Sequence, residues 1–84
     1  MSIVFTDAAY KDYLHWKRHD RKKYERINTL CKAILQKPRE GIGKPEPLLY
    51  DLQGYWSRRI DRTHRLVYKV KRGEILVISC RFHY

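Results

Sequence analysis

The sequence predicts an α+β fold in which two N-terminal helices pack on one face of a small, mainly antiparallel twisted sheet. Two observations predict this fold. The first half of the chain carries apolar residues at helical spacing, and the last third carries three β-prone stretches separated by turn residues. The length of 84 residues suits one domain, spanning residues 1–84, with a small core.

The N-terminal half predicts one short strand, over residues 3–5, and two helices. Thr6 can cap the first helix, which covers residues 7–19. Asp20 can cap the second helix, which runs to Lys37 and is ended by a proline. The clearest periodic signal in the chain lies in this second helix, at Ile27, Leu30, Cys31 and Ile34.

The last third predicts strands over residues 55–60, 65–70 and 75–84, with turns at Arg62-Thr63 and Arg72-Gly73. Between helices and strands, "REGIGKPEPLL" predicts a loop rich in glycine and proline. This loop lacks the glycine pattern and the strand-to-helix context of a nucleotide-binding loop, so that function is excluded.

Strand alternation assigns each side chain of the sheet to one of two faces. Arg58 falls on the side of the core and would have to extend past the end of the sheet. If Val70 pairs with Leu76, then Arg65 lies opposite Arg81 and diagonal to His83. The apolar set predicted to face the helices comprises Trp56, Ile60, Leu66, Tyr68, Val70, Leu76, Ile78, Cys80 and Phe82.

The other face of the sheet is predicted to be basic, in a chain whose formal net charge is +10. A charge this large for the chain length attracts polyanions, above all nucleic acid or an acidic protein. Like charges that face each other across strands are destabilising, so the face indicates an anion site. A solvated cluster with no ligand is the alternative. The residues concerned are Arg59, Arg65, Lys69, Arg81 and His83.

Several other classes of protein are disfavoured. The N-terminus lacks the features of a secretion signal, and the longest apolar run, residues 75–78, is too short to span a membrane. The two cysteines are predicted to be buried free thiols. His15 and His19 lie at i and i+4 of a helix, but no further ligand accompanies them, so we predict no metal site and no cofactor.

The basic face has the residue types that RNA cleavage needs. A base must take the 2′-OH proton, an acid must protonate the leaving 5′ oxygen, and cations must hold the phosphate. His83 can act as acid or base, and Glu46 in "KPEPL" is the candidate carboxylate. Tyr84 can donate a hydrogen bond. The aromatic residues that can stack on bases are Tyr50, Tyr55 and Trp56.

The stretches "GKPEPL", "GYWSRRI", "HRLVY" and "CRFHY" resemble the YoeB (Txe/YoeB) toxins of the RelE superfamily. The resemblance spans nearly the whole chain and implies a microbial-ribonuclease-like, RelE-type fold. It also implies a type II toxin that enters the A site of the 70S ribosome and cuts mRNA. By position, Glu46 is then the general base and His83 the general acid, while Arg65 stabilises the transition state, assisted by Arg59 and Tyr84.

The same resemblance implies the partners. It implies a YefM-like antitoxin whose tail covers the site and whose N-terminal part binds operator DNA, and it implies the bacterial cytoplasm rather than a membrane. Lys44 and Arg81 are further predicted phosphate contacts, and a homodimer stays open. One departure is Leu49, where many family members carry a lysine.

Two other functions remain as alternatives. One is a non-catalytic RNA-binding module that blocks translation. The other is a protein whose basic face only receives an acidic peptide.

Overall fold

Two helices pack against a mainly antiparallel sheet, as the sequence predicts, but the sheet has five strands rather than the four predicted. The computed structural model describes residues 1–82. In chain order the elements are β1 (Ser2–Phe5), α1 (Asp7–His19), α2 (Arg21–Gln36), β2 (Glu46–Pro47), a 3₁₀ turn (Tyr50–Leu52), β3 (Tyr55–Arg59), β4 (Arg65–Lys71) and β5 (Glu74–Ser79). The strand order is β1-β5-β4-β3-β2. Strand β1 runs parallel to β5, and the other neighbours are antiparallel.

Side-chain caps fix the start of both helices, as predicted. The Thr6 hydroxyl accepts a hydrogen bond from the backbone N–H of Ala9 at 3.1 Å. The Asp20 carboxylate accepts one from the N–H of Lys23 at 3.3 Å, while its own backbone N–H donates to the carbonyl of Trp16 at 2.8 Å. Asp20 therefore ends α1 and begins α2. Within residues 1–82, neither helix is long and apolar enough to cross a membrane.

The hydrophobic core lies between the helices and one face of the sheet. The Trp16 indole N–H donates to the carbonyl of Cys80 at 2.8 Å, which ties α1 to the segment after β5. Cys31 and Cys80 are free thiols, as predicted, but only Cys80 is fully buried, and Cys31 is half-buried. The buried cluster comprises Ala9, Trp16, Ile27, Leu30, Ile34, Ile60, Leu66, Tyr68, Ile75, Val77 and Cys80.

The predicted register of β5 is wrong over most of its length. Val70 pairs with Ile75 rather than Leu76, so Ile75 and Val77 face the core. A bulge follows, and Ser79 then lies opposite Val67, which is the pairing that the sequence predicted. The extra residue at the bulge changes the side of the sheet on which the following residues lie.

The predicted length of β5 is wrong as well. The strand ends at Ser79 rather than at the C-terminus. Phe82 was expected in the core, but its side chain is 55% exposed.

Arg58 does not extend past the end of the sheet, so that prediction is wrong too. Its side chain is completely buried. The guanidinium donates to the carbonyls of Lys37 at 2.6 Å, Glu40 at 2.9 Å and Ile42 at 3.1 Å. These three carbonyls belong to the segment after α2, which the arginine therefore holds against the sheet.

Candidate active site

A line of four side chains crosses the face of the sheet opposite the helices, called here the open face, on which Ser57 and Val67 are themselves buried. Glu46 of β2 lies opposite Ser57 of β3, and Ser57 lies opposite Val67 of β4. Val67 in turn lies opposite Ser79. Directly opposed residues of paired strands project to the same side. The short edge strand β2, which the sequence predicted as loop, therefore carries Glu46 onto the open face.

Arg59 and Arg65 form the next pair along the same face, directly opposite each other on β3 and β4. Glu46 lies diagonal to Arg59, a relation that separates neighbours in a sheet by about 7–8 Å. Two opposed positive charges destabilise a sheet. An anion that bridges the two guanidinium groups would remove this repulsion, because each can donate two parallel hydrogen bonds to phosphate oxygens.

Backbone carbonyls orient the guanidinium of Arg65. Its Nη1 donates to the carbonyl of Asp61 at 2.9 Å and to that of His64 at 3.2 Å. Both acceptors lie in the loop between β3 and β4. A cation fixed in this way needs little reorganisation when negative charge develops on a bound phosphate.

Lys44 lies beside the carboxylate of Glu46, at 3.7 Å from Nζ to Oε1. The side chains are 63% and 49% exposed, so this ion pair contributes at most about 1 kcal/mol to stability. Both groups are accessible to a ligand. Glu46 itself is framed by Pro45 and Pro47, which restrict the backbone on either side.

Of the three aromatic residues predicted to stack on RNA, the two in β3 lie on different faces. Tyr55 is opposite Lys69, whose Nζ lies 5.3 Å from the centre of the Tyr55 ring. Trp56 is opposite Tyr68 and packs against the hydrophobic core. The structure therefore brings Tyr55, but not Trp56, to the open face with Glu46.

Arg81 follows the end of β5 and stacks on aromatic rings. Its guanidinium carbon lies 4.6 Å from the centre of the Phe82 ring and 5.8 Å from that of Trp16. The Nε atom of Arg81 is buried without a hydrogen-bond partner among the described residues. The strand ladder ends at Ser79, so the predicted opposition of Arg65 and Arg81 falls beyond the paired residues.

His83 and Tyr84 lie outside the described residues. Their predicted roles stay predictions. The described chain reaches Phe82, whose backbone carbonyl accepts a hydrogen bond from the N–H of Arg65 at 3.2 Å. The residues that lead to the predicted general acid are thus attached to the start of β4.

Sequence reasoning missed His64. The Nδ1 atom of His64 accepts a hydrogen bond from the backbone N–H of Phe82 at 2.7 Å. Its ring also lies edge-on against Trp16, with 4.7 Å between ring centres. The residue precedes β4 in a turn, where neither helical nor strand periodicity assigns a direction to its side chain.

Leu49 and Tyr50 project from the chain after the buried Leu48, which follows β2. They are 67% and 89% exposed, and Tyr50 has a positive φ of 57°. The departure at Leu49 therefore puts an apolar side chain on the surface near Glu46, where a lysine would put a charge.

The histidine pair of α1 does not develop into a metal centre among the described residues. The rings of His15 and His19 are 4.6 Å apart, but no group of three or more potential ligands forms in residues 1–82. Desolvation lowers the pKa of His15 below its usual value, and the charge of Arg81 lowers it further.

Two helices on a small mixed sheet, with a carboxylate and opposed arginines on its open face, define a RelE-type toxin fold. The chain belongs to the YoeB-like toxins of bacterial type II toxin–antitoxin systems, whose family model matches residues 5–84. The predicted resemblance is thereby confirmed, and the chain is a type II toxin of this family.

Known toxins match the sequence of this chain over its full length. The chain is 55% identical over 84 residues to toxin YoeB of Synechocystis sp., covering 100% of this chain and 98% of that protein. It is 44% identical over 84 residues to toxin YoeB of Escherichia coli K12, with complete coverage of both.

The structural match is equally close. A YoeB/ParE toxin from Agrobacterium tumefaciens matches with a TM-score of 0.97 and 46% identity, covering both chains completely. A heterotetrameric YoeB-YefM complex from Staphylococcus aureus contains a chain that matches with a TM-score of 0.91 and 46% identity. That match covers 98% of this chain and 95% of the other.

Proposed function

We propose that this toxin is a single-domain endoribonuclease that cuts mRNA in the ribosomal A site and so inhibits translation. The observation that carries the proposal is the placement of Glu46 on the same open face as the opposed pair Arg59 and Arg65. A pure RNA-binding module needs the arginines but has no use for a carboxylate that repels phosphate.

In the proposed reaction, Glu46 takes the proton of the 2′-OH, whose oxygen then attacks the adjacent phosphorus. Arg65 and Arg59 stabilise the negative charge that develops on the phosphate oxygens. His83 gives a proton to the leaving 5′ oxygen, and Tyr84 assists by hydrogen bonding. Lys44 and Arg81 add phosphate contacts, and Tyr55 stacks on a base. The products are a 2′,3′-cyclic phosphate and a 5′-OH.

The proposed partners follow from the charge and from the solved relatives. A YefM-like antitoxin with an acidic, partly disordered tail suits the basic face, and YoeB-YefM complexes are known from Staphylococcus aureus. A YoeB dimer from the same organism leaves a homodimer open for this chain. The other proposed partners are mRNA and the 70S ribosome in the bacterial cytoplasm, with operator DNA reached only through the antitoxin.

A single 2′-deoxy substitution in the mRNA tests the reaction. Placed at the nucleotide on the 5′ side of the cut, it removes the nucleophile and leaves the phosphate contacts. In a translating extract we expect no cleavage at that position, while the same substitution one codon away leaves cleavage unchanged.

Two results would contradict the proposal. Normal cleavage of the substituted mRNA, with a 5′-phosphate product, would mean that water attacks. Arrest of translation without a cut in the unmodified mRNA would identify the non-catalytic module instead.

A further inference from the structure

We propose that His64 is a positioning residue, whose Nδ1 holds the backbone of Phe82 and thereby orients the segment that leads to His83. The inference rests on the proposed function, because it is the proposed acid role of His83 that makes its orientation matter. His64 itself is not proposed to touch RNA.

Two hydrogen bonds clamp the backbone of Phe82 from consecutive residues of the chain. The N–H of Phe82 donates to Nδ1 of His64 at 2.7 Å, and its carbonyl accepts from the N–H of Arg65 at 3.2 Å. The short N–H to Nδ1 contact replaces strand pairing at a point where β5 has already ended at Ser79.

The conformation of Phe82 shows that it needs such a clamp. Its φ is 63°, in the left-handed region that a residue with a bulky side chain rarely adopts. Its side chain is 55% exposed, so burial contributes little to holding the backbone there. The hydrogen bonds to His64 and Arg65 therefore hold the backbone in this conformation, in addition to the contacts of the Phe82 ring with Arg81 and His64.

The ring of His64 is itself fixed in place. The carboxylate of Asp61 accepts a hydrogen bond from the His64 backbone N–H at 2.7 Å. The ring packs edge-on against Trp16, which is buried in the core. Since Nδ1 accepts a hydrogen bond, the neutral ring carries its proton on Nε2. The clamp thus connects the core, through His64, to the residue before His83.

This arrangement predicts that replacement of His64 impairs the chemical step of cleavage rather than the binding of RNA. Arg59 and Arg65 keep their side chains when His64 is replaced, so affinity for RNA should persist. A proton donor that is displaced by about 1 Å can lower a rate by about 10²-fold. Loss of the acceptor should therefore lower kcat and leave KM nearly unchanged.

A matched pair of variants tests the role of Nδ1 of His64 as a hydrogen-bond acceptor. In His64→Asn the side-chain oxygen can occupy the position of Nδ1, whereas His64→Leu has the same shape and no acceptor. Both variants lose the ring contacts with Trp16 and Phe82. We expect His64→Leu to lower single-turnover cleavage by about 10²-fold and His64→Asn to retain most of the activity. His19→Leu, on the exposed side of α1, controls for removal of a histidine and should leave cleavage unchanged.

Amide hydrogen exchange at Phe82 provides a readout that does not depend on cleavage. Protection in the wild type and in His64→Asn, with loss in His64→Leu, is expected. Nitrogen shifts of the wild-type His64 ring should show a protonated Nε2 and an unprotonated Nδ1, which tests the clamp even if a variant fails to fold.

The outcomes separate the clamp from the proposed function. Equal activity in His64→Leu and His64→Asn, whether retained or lost, would overturn the role of the acceptor, as would an unprotected Phe82 amide in the wild type. A different outcome is that the wild type fails to cut RNA while the Phe82 amide is still protected in the wild type and in His64→Asn but not in His64→Leu. In that case the proposed function fails, and the catalytic role of the clamp fails with it.

Discussion

Arg58 places a positive charge in the interior, where its hydrogen bonds run to neutral oxygens. In addition to three carbonyls, its Nε donates to the hydroxyl of Tyr68 at 3.2 Å. The Tyr68 hydroxyl in turn donates to the carbonyl of Pro38 at 2.5 Å. The backbone after α2 is therefore wrapped around one guanidinium, and it approaches closely: a Cβ atom at Gly43 would lie 3.1 Å from Cβ of Arg58.

Replacement of Arg58 by Met should destabilise the protein strongly. Hydrogen bonds to a charged group contribute about 1.5–3 kcal/mol each, and several buried acceptors would be left without a partner. We expect the free energy of unfolding to fall by at least about 3 kcal/mol, measured by urea denaturation. Arg59→Met is the matched control, because Arg59 is the neighbouring residue and is exposed. Equal stability of the two variants would contradict the structural role of Arg58.

Glu46 gives a prediction about activity alone. Glu46→Gln keeps the shape of the side chain and removes the base, so the cleavage rate should fall by about 10²–10⁴-fold. The melting temperature should change little, because the carboxylate is half exposed and its ion pair with Lys44 is a weak surface contact. Single-turnover cleavage and a thermal melt measure the two effects.

Glu40→Gln is the control for Glu46→Gln. Glu40 lies in the segment before β2 and also forms an exposed ion pair, with Lys37 at 3.1 Å. The Glu40→Gln variant should cleave RNA at the wild-type rate. Equal rates in the two variants would remove Glu46 from the reaction.

Hydrogen bonds within the loop between β3 and β4 position residues of the candidate site. The carboxylate of Asp61 accepts hydrogen bonds from the N–H groups of Thr63 at 2.8 Å and His64 at 2.7 Å. Its other oxygen lies 3.2 Å from Nζ of Lys23, which also pairs with Asp20 at 2.9 Å. This element thus positions both the carbonyls that hold Arg65 and the ring of His64.

Ionisation of Asp61 should stabilise the fold above acidic pH. Desolvation raises the pKa of Asp61, but the hydrogen bonds from His64, Thr63 and Lys23 outweigh it and hold the pKa below its usual value. A carboxyl group whose pKa is lower in the folded state stabilises above its unfolded pKa of about 3.9. That contribution is lost as the pH falls through the folded pKa.

The variant Asp61→Asn tests the predicted direction in which stability changes with pH. It keeps the acceptor for the turn but cannot ionise, so wild type should be more stable at neutral pH and the difference should shrink below about pH 4. Urea denaturation across this pH range measures it, with Asp51→Asn as the control for removing a negative charge. A difference that stays constant or grows in acid would contradict the assignment.

The elements that the sequence predicted correctly have strong local signals. Thr6 and Asp20 are good N-caps, and α2 has a single apolar stripe. The register of β5 could not be predicted in the same way, since residues 75–78 are all apolar and either alternation can face the core. Only pairing with β1 and β4 selects Ile75 and Val77.

The candidate site was predictable in part. Strand alternation put Arg59 and Arg65 on one face, and the structure confirms their side of the sheet. Glu46 was a candidate carboxylate from the residues alone, and its role as the base came from the resemblance; its place on a strand could not be predicted, because a single residue between two prolines carries no strand signal. The clamp at His64 depends on a contact 18 residues along the chain, which no local pattern encodes.

At the scale of the whole molecule, the net charge of +10 should control association with the antitoxin. Electrostatic steering accelerates encounter with an acidic chain and is screened by salt. Between about 0.1 M and 1 M NaCl the Debye length falls from about 10 Å to 3 Å. We expect the association rate measured by stopped flow with a YefM-like antitoxin to fall steeply over this range. A rate that does not change with salt would mean that apolar burial alone drives the complex.

Strand β5 is made after every other strand but lies inside the sheet, between β1 and β4. During synthesis, residues that have already left the ribosome can form the helices and the pairing of β2, β3 and β4, but β1 has no neighbour until β5 emerges. A ribosome that stops before Glu74 therefore releases a chain with an unpaired edge on β4 and without Phe82. Such a chain would be prone to aggregation and degradation instead of being a weaker toxin, so a folded toxin arises only after β5 has been translated.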